Sequence, residues 1–467
     1  MRWTSTRPAS RSSALIRWLT AEPIDAEALT RDELLALITA ALPALAAVLT
    51  ACGGGGSATA AWLAKAGKDV VLLEKSRFPR DKICGDGLTP RAVRQLINLG
   101  VPLSETDGWA RNQGLRIIGG GMRLQLDWPD VTSFPGYGMV RARADLDEVL
   151  GRHAAACGAE LLEGRNVSEP VRDESGRIVG VVAKVVDERG RATGETETYR
   201  APVVVAADGV SSRLSVKMGR EKREDRPMAV AVRAYYETPR HDDEYLESHL
   251  ELWSTTPEGG RILMPGYGWL FGLGDGRSNV GLGVLNTSEA FGRTDYKDVM
   301  RRWVETMPAE WGINEDTITG EITAAALPMA FNRQPLYADG LMLVGDAGGM
   351  VNPFNGEGID YALEAGHAAA ETIVQALARP SAAERERVLA SYIGRMKDMH
   401  GGYFTLGAQF AKLIGRPEIM RLATKYGLPR PTLMKFMLKL MANLPEEKGG
   451  GLDDRLVHLM TKVAPNA

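Results

Sequence analysis

Short apolar runs followed by glycine-rich turns divide the first part of the chain into strand, turn and helix. The apolar run Ala46–Thr50 leads into the glycine turn at 53–56, and the segment Ser57–Lys65 (SATAAWLAK) has the composition of a helix. A second apolar run, Val70–Leu73, then ends at Glu74. A strand, a helix and a second strand of these lengths predict a βαβ unit of the kind that binds dinucleotides.

The same arrangement returns late in the chain, in the segment GDAGGMVNPFNGEGIDYALEAG from Gly345 to Gly366. It follows the apolar run Leu341–Val344, and Asp346 is its second residue. The segment then continues into a helical pattern around Ile359. A carboxylate at a strand end accepts hydrogen bonds from sugar-alcohol hydroxyls, and a helix N-terminus favours negative charge. A reduced flavin carries such a charge at its N1/O2 edge, so the segment is typical of a flavin site.

Between these two ends lies a strand-rich insert. Residues 229–284 alternate apolar and polar positions in stretches such as RILMPGYGWLFGLG and NVGLGVL. A chain that returns to its first sheet after long insertions is typical of a two-domain flavoprotein rather than a single Rossmann domain. The pattern therefore predicts an α/β fold with a discontinuous first domain.

Composition narrows the function classes. The 467 residues, 44% apolar and 25% charged, suit about two to three domains. A net charge of −3 argues against a nucleic-acid partner, and three widely spaced cysteines indicate a reducing compartment. The histidines form no H-x-H or H-E-x-x-H pair and no C-x-x-C occurs, so no metal site is predicted.

The first glycine turn matches the dinucleotide fingerprint G-x-G-x-x-G incompletely. Gly53 and Gly56 take the second and third places, which let the backbone approach a pyrophosphate and the helix pack on the strand. Ala51 takes the first place, where a methyl group is tolerated only if φ stays negative. Glu74, 21 residues after Gly53, is placed to bind the adenosine ribose. A flexible linker is the alternative interpretation of the glycines.

Further segments combine turn residues with candidate chemistry. Arg80–Leu88 (RDKICGDGL) is either a loop beside the cofactor or a solvated loop, and Asp208 in ADGVSSR either caps a helix or lies near a pyrophosphate. In PGYGWLF, Tyr267, Trp269 and Phe271 share one face of a strand. That face suits a π-rich, apolar substrate, and a plain core strand is the alternative.

The tail from Arg395 to Leu444 is basic and rich in Met and Leu, with Asp398 and Glu418 as its acids. Such a stretch either lies on an anionic membrane surface or docks as a C-terminal helix with a solvated lysine face. The sequence leaves both interpretations open.

In order and in wording, FPRDKICGDGLTPRAV, SHLEL, PGYGWLF and GDAGGMVNPFNGEGIDYALEAG resemble the geranylgeranyl reductase family, an FAD-dependent branch of the p-hydroxybenzoate hydroxylase-like flavoproteins. The resemblance covers Gly53 to the C-terminus, and within the family the chain is most similar to the menaquinone reductases. The chain departs from the family pattern at Ala51, at Gly272, where the family usually has Pro, and in residues 1–50.

The resemblance implies a Rossmann-like FAD-binding domain, an antiparallel-sheet substrate domain and a helical C-terminal region. The implied FAD-binding domain comprises residues 51–110, 141–220 and 326–394. The implied substrate domain comprises residues 111–140 and 221–325. Residues 1–50 would form an atypical extension, and 395–467 a helical, basic tail. If the tail lies on a membrane rather than docking, the predicted location is peripheral at the cytoplasmic face.

The resemblance also implies which residues contact FAD. These are Gly53, Gly56 and Ser57 at the pyrophosphate, Glu74 at the ribose, Cys84, Gly85 and Gly87 alongside the flavin, Arg143 at the phosphate side, Val167 at the adenine, Asp346 at the ribityl chain, and Gly358 and Ile359 at the isoalloxazine.

The implied activity is the saturation of a double bond in a prenyl lipid, menaquinone above all. Reduced FAD would deliver hydride to one alkene carbon, and an acid, with Cys84 as a candidate, would protonate the other. Tyr267 and Trp269 would line a dry pocket and stabilise developing positive charge. The chain carries no second dinucleotide fingerprint, so the reductant is either transiently bound NAD(P)H or another donor.

Other functions stay open at this point. The substrate can instead be geranylgeranyl diphosphate or a geranylgeranyl lipid. An FAD-dependent aromatic monooxygenase shares the fold but consumes NAD(P)H and oxygen. A non-enzymatic alternative is a defective, membrane-associated flavin-binding module.

Overall fold

The computed structural model of the protein describes residues 45–255, 259–287 and 291–465. Its strands are β1 (Ala47–Thr50), β2 (Val70–Glu74), β3 (Gly87–Leu88), β4 (Ala110–Asn112), β5 (Gly114–Gly119), β6 (Met122–Asp127), β7 (Gly138–Val140), β8 (Glu160–Glu163), β9 (Arg165–Arg172), β10 (Ile178–Val186), β11 (Ala192–Arg200), β12 (Val204–Ala206), β13 (Met228–Glu237), β14 (Tyr245–His249), β15 (Leu252–Thr255), β16 (Arg261–Met264), β17 (Gly266–Gly272), β18 (Arg277–Leu285), β19 (Ile318–Pro328), β20 (Tyr337–Ala338) and β21 (Leu341–Leu343).

The α-helices of the same residues are α1 (Gly54–Lys65), α2 (Pro90–Leu99), α3 (Arg143–Ala156), α4 (Arg213–Lys217), α5 (Tyr296–Val304), α6 (Ile359–Leu377), α7 (Ala382–Met396), α8 (Gly402–Ile414), α9 (Pro417–Leu422), α10 (Pro431–Met441) and α11 (Leu452–Val463). Shorter 3-10 and π-helical turns are Glu105–Asp107, Ala309–Trp311, Gly345–Gly348, Lys397–Gly401 and Ala423–Gly427.

A largely parallel sheet carries the first glycine turn. Its strand order is β20-β21-β12-β1-β2-β8, and only β20 runs antiparallel to its neighbour. The central strands are buried on both faces, as expected for parallel strands covered from both sides. Ala47 and Leu49 belong to the core shared with α1 and α6, whereas Val48 packs with residues of β10.

A second sheet, in the order β19-β13-β18-β17-β14-β5-β6, forms the other half of the molecule. Its pairs are antiparallel except for β14 and β5. The aromatic strand β17 lies between β18 and β14, and α5 packs against this sheet through Val299, Met300 and Trp303. The sheet therefore presents β17 at its centre.

The C-terminal helices dock on the loop that precedes α6. Phe354 in this loop packs against Phe410 of α8, with ring centroids 5.2 Å apart, and Tyr392 and Phe404 are fully buried. The Tyr403 hydroxyl donates a hydrogen bond to the Leu440 carbonyl (2.9 Å), which joins α8 to α10. Among the residues described, no helix is both long and apolar enough to cross a membrane.

The predicted architecture is confirmed: a Rossmann-like α/β domain, an antiparallel sheet and a helical C-terminal region. The predicted extension, residues 1–50, lies outside the described residues except for 45–50, and Ala47–Thr50 form β1 at the centre of the first sheet. The remaining domain bounds stay predictions.

Candidate flavin and substrate site

The turn between β1 and α1 depends on close backbone approach. A Cβ on Gly56 would lie 2.0 Å from the carbonyl oxygen of Ala51, and one on Gly55 would lie 2.6 Å from Cγ1 of Val344. Glycine at these positions therefore lets α1 pack directly on the ends of β1 and β21. Ala51 has a φ of 73°, so the expected negative φ at this residue is wrong. A left-handed conformation costs an alanine about 1–2 kcal/mol.

Ser57 provides an unused donor in the first turn of α1. Its Oγ is buried and has no hydrogen-bond partner among the described residues. The N-cap residue, Gly53, has no side chain to cap the helix, and the first turn contains no acid. Free N–H groups, a positive helix end and an unpaired hydroxyl together suit a pyrophosphate. The residues present thus fit the phosphate part of a dinucleotide.

Glu74 ends β2 and is buried against this turn. Its carboxylate accepts hydrogen bonds from the backbone N–H groups of Cys52 (2.9 Å) and Ser76 (3.0 Å) and from the guanidinium of Arg80 (3.0 Å). The bond from Cys52 ties the carboxylate to the turn itself. Glu74 therefore occupies the place that the fingerprint assigns to a ribose-binding acid, and its contact with a ribose stays a prediction.

Arg143 begins α3 and is held by an acid on its own helix. It donates to Asp147 from Nε (3.0 Å) and Nη2 (2.6 Å), while Arg80 donates to the other carboxylate oxygen (2.6 Å). Although burial raises the pKa of Asp147, the charges of Arg143 and Arg80 lower it below its usual value. The structure thus adds Arg80 and Asp147 to the site, and a contact between Arg143 and a phosphate stays a prediction.

Asp346 meets the glycine turn through Lys82. The Lys82 ammonium lies 3.1 Å from Asp346 Oδ2 and 4.0 Å from the point where a Cβ on Gly53 would sit. A Cβ on Gly358, the N-cap of the helix that starts at Ile359, would sit 3.5 Å from Asp346 Oδ1. Residues from both ends of the chain therefore lie in one site, with the Lys82 ammonium between the Gly53 turn and Asp346.

Asp86 is a buried acid that the sequence did not single out. It accepts hydrogen bonds from the Tyr235 hydroxyl (2.8 Å), the Asn279 amide (2.7 Å) and the Arg143 backbone N–H (3.1 Å). Burial raises the pKa of Asp86 to about 6, against the effect of these bonds. Asn279 also donates to the Cys84 carbonyl (2.8 Å), so Asp86 and Asn279 fix the Cys84 loop to the second sheet.

Gly85 and Gly87 hold this loop against the aromatic strand β17. A Cβ on Gly87 would lie 3.0 Å from the Phe271 ring, and one on Gly85 would lie 3.4 Å from the indole nitrogen of Trp269. A side chain at either position would require the neighbouring aromatic rings to shift by a few tenths of an ångström. The rings of Trp269 and Phe271 stack with centroids 6.3 Å apart. The Cys84 loop and the aromatic face of β17 therefore pack directly against each other, and their line of contact is called the aromatic boundary below.

The aromatic side chains are fixed by polar partners. The indole N–H of Trp269 donates to Oδ1 of Asn279 (2.8 Å), and a Cβ on Gly281 would lie 2.5 Å from the Trp269 ring. The Tyr267 hydroxyl donates to the carbonyl of Asn355 (2.5 Å), in the loop before α6. Trp269 is buried and Tyr267 half-buried, so the strand joins the second sheet to the Asp346 segment.

Two sequence candidates lie away from this boundary. Val167 is in β9, pairs with Ala183 of β10, and packs on the face of the parallel sheet opposite α1. Its backbone contact with adenine stays a prediction. Asp208 accepts a hydrogen bond from the Ser212 hydroxyl (2.7 Å), and Ser212 is the N-cap residue of α4. Both interpretations of Asp208 stay predictions.

Comparisons with known proteins agree with this geometry. The family model described as an FAD binding domain matches residues 47–392. A menaquinone reductase of Mycobacterium tuberculosis is 36% identical over 423 residues, which cover 88% of this chain and 96% of that protein. The chain belongs to the FAD-binding family, in its geranylgeranyl reductase branch. It is an FAD-dependent oxidoreductase, as the sequence predicted.

Two further comparisons extend this result. Digeranylgeranylglycerophospholipid reductase 2 of Methanopyrus kandleri is 27% identical over 425 residues, 84% of this chain and 98% of that protein. A solved structure, a geranylgeranyl bacteriochlorophyll reductase-like protein of Thermoplasma acidophilum, has a TM-score of 0.69 at 21% identity. The match covers 89% of this chain and 98% of that protein. This structural similarity supports the fold.

Proposed function

We propose that this protein saturates a carbon–carbon double bond in the isoprenoid side chain of menaquinone, by hydride transfer from reduced FAD. The observation that carries the proposal is the contact of Gly85 and Gly87 with Trp269 and Phe271. It sets an aromatic face directly beside the loop that the family resemblance assigns to the flavin. The names of the relatives, a menaquinone reductase and a digeranylgeranylglycerophospholipid reductase, support a prenyl substrate.

The residues of the chain would act mainly by positioning. FAD, when bound, supplies two-electron reduction. An isolated alkene has no carbonyl to polarise, so catalysis depends on orientation and on the exclusion of water. Asn279 fixes the Trp269 ring and Asn355 fixes the Tyr267 hydroxyl, so both rings present defined faces to the substrate. Such faces stabilise positive charge that develops when the alkene is protonated.

Lipid mass spectrometry tests this function. Lipids are compared from a host that expresses the chain, a host that does not, and a host that expresses the Gly56→Ala variant. The proposal expects menaquinone to gain the mass of two hydrogen atoms only with the intact chain. A gain confined to geranylgeranyl diphosphate or a geranylgeranyl lipid would assign that substrate instead. An oxygen-dependent product would indicate a monooxygenase, and purified protein that takes up no FAD would indicate a defective binding module.

A membrane-facing surface would give access to such a lipid. The segment 412–435 exposes four large apolar side chains, Leu413, Leu422, Tyr426 and Leu433. Its exposed basic residues are Lys412, Arg416, Arg421, Lys425, Arg430 and Lys435, and its acid is Glu418. Apolar side chains among cations suit the interface of an anionic bilayer. We propose that this tail surface contacts the cytoplasmic face of the membrane peripherally.

The tail surface predicts charge-dependent vesicle binding. The triple variant Lys425→Ala/Arg430→Ala/Lys435→Ala is expected to bind anionic vesicles roughly 100-fold more weakly, at about 1 kcal/mol per cation. Co-sedimentation with vesicles of anionic and of zwitterionic lipid measures the effect. The control Lys184→Ala/Arg189→Ala/Arg200→Ala removes the same charge from exposed residues of the β9–β11 sheet. Equal binding by both variants would contradict the proposed surface.

A further inference from the structure

Glu357 brings a carboxyl group to the boundary between the Cys84 loop and the aromatic strand. It lies one residue before Gly358, and its Oε1 accepts a hydrogen bond from the Thr89 hydroxyl (2.6 Å), just after β3. Its Oε2 is buried and has no hydrogen-bond partner among the described residues. One carboxyl oxygen is therefore anchored, and the other remains available to a reacting group.

The surroundings of Glu357 favour its neutral acid form. Burial raises the pKa of Glu357 to about 7, although Thr89 and the charge of Arg91 act in the opposite direction. The groups that face it are Thr89 and Arg91 of the α2 segment, Asn355 of the preceding loop, Asp360 and Tyr361 of α6, and Tyr267 of β17. The Tyr267 hydroxyl donates to the carbonyl of Asn355, and the Asn355 side chain accepts a hydrogen bond from the backbone N–H of Glu357 (3.0 Å), so Tyr267 contacts the short segment that carries Glu357.

A series of titratable side chains leads from Glu357 toward solvent. Asp360 is buried, neither of its carboxylate oxygens has a hydrogen-bond partner among the described residues, and Arg91 Nε lies 3.7 Å away. Arg91 also pairs with Glu364 (2.8 Å), and Nε2 of His400 lies 3.4 Å from Glu364. Burial lowers the pKa of His400 to about 4, so its ring is neutral near pH 7.

This series ends at the protein surface. A cavity of about 320 Å³ is lined by Arg91, Glu364 and His400, among others, and by exposed residues such as Met399. The buried, partly unpaired carboxyl groups Asp360 and Glu357 thus lie between an outer cavity and the aromatic boundary. Structural ion pairs do not require unpaired carboxyl oxygens, which are costly to bury.

We propose that Glu357 is the acid that protonates the substrate alkene, and that Asp360, Glu364 and His400 connect it to water in the outer cavity. This inference rests on the proposed reduction of a prenyl double bond. As the π bond breaks, one alkene carbon accepts hydride from the reduced flavin and the other accepts the proton of Glu357. The Glu357 carboxylate regains a proton from water, and a two-electron donor, NAD(P)H or another reductant, restores the reduced flavin.

The Glu357→Gln variant tests the role of the acid. With pre-reduced FAD, its single-turnover rate of prenyl reduction is expected to fall roughly 100-fold or more. The wild-type rate is expected to decline as pH rises through about 7, because Glu357 loses its proton, and the variant is expected to lack this decline. The exposed Glu174→Gln serves as the isosteric control. A variant with the wild-type rate and pH profile would overturn the proposal.

An infrared titration separates this inference from the proposed function. In FAD-loaded protein without lipid, the difference spectrum of wild type minus Glu357→Gln is expected to contain the carbonyl band of a protonated carboxylic acid that disappears as pH rises through about 7, whereas the bands of Asp86 and Asp360 are common to both proteins and cancel. The absence of that band from the difference spectrum would overturn the role of Glu357 even if prenyl reduction is observed. If the band is present and no prenyl lipid is reduced, the proposed function fails and the alkene-protonation role falls with it. Loss of the pH dependence in Cys84→Ala with its retention in Glu357→Gln would identify the thiol as the acid and overturn the proposal.

Discussion

The Arg143→Met substitution is expected to lower the free energy of unfolding by about 3–5 kcal/mol, because it leaves a buried carboxylate without its main partner. Arg143 contacts both oxygens of Asp147, and both side chains are almost fully buried. Arg80 still reaches Asp147 in the variant but also serves Glu74. Urea unfolding, followed by far-UV circular dichroism, measures the loss.

Two further variants serve as controls for this prediction. Arg152→Met removes an exposed arginine paired with Glu148 and Glu163 on the same helix and a neighbouring strand, and is expected to cost about 1 kcal/mol or less. The double variant Arg143→Met/Asp147→Leu removes both buried charges and is expected to recover most of the stability. FAD titration of this double variant then tests the phosphate-side role of Arg143. A single variant as stable as Arg152→Met would contradict the argument.

The Gly56→Ala substitution is expected to raise the Kd for FAD roughly 100-fold and to destabilise the protein by about 3 kcal/mol. Its new Cβ would lie 2.0 Å from the Ala51 carbonyl oxygen, so α1 must move away from the end of β1. That movement displaces the free N–H groups and Ser57 from their common site. Flavin absorbance after titration and gel filtration measures retained cofactor.

Helix propensity alone predicts the opposite sign, which makes the test informative. In Gly394→Ala, on α7, the added Cβ meets nothing within 4 Å, so this control is expected to gain about 1 kcal/mol. Ala51→Gly, in the same turn as Gly56, relieves a left-handed alanine and is expected to gain about 1 kcal/mol with unchanged or tighter FAD binding. A neutral result for Gly56→Ala would show that the turn tolerates a side chain.

Local signals explain what the sequence could predict. A strand, a glycine turn and a helix can be predicted from apolar runs and turn residues that are close in sequence. The Gly53 turn and the segment Gly345–Gly366 were both predicted in this way. Their meeting in one site depends on Lys82 and Asp346, which are 264 residues apart in sequence. No periodicity encodes that contact, and the family resemblance implied only that both segments bind FAD.

The site residues that the sequence analysis did not identify are those whose role depends on burial in the folded chain. Asp86 adopts a φ of 67°, a conformation that Asp tolerates better than most residues, and its place between glycines was the available signal. Arg80, Asp147 and Glu357 look like ordinary surface charges in the sequence, because their partners come from other elements. Ala51 was expected to require a negative φ, and the surrounding backbone imposes a positive one.

One departure from the family pattern has a steric explanation. A Cβ on Gly272 would lie 2.4 Å from the backbone carbonyl of His241. The backbone of this chain therefore leaves no room for a side chain at the position where the family resemblance led us to expect proline. This contact too could not be inferred from the local sequence.

The order of strands in the first sheet has a consequence for biosynthesis. Its interior strand β21, Leu341–Leu343, leaves the ribosome long after β1, β2 and β12 have been translated. Until then the nascent chain exposes the unpaired edge of β12 and lacks Asp346. We therefore expect the cofactor to bind late, after most of the polypeptide has emerged, and the open edge of β12 to be the aggregation-prone feature of the unfinished chain.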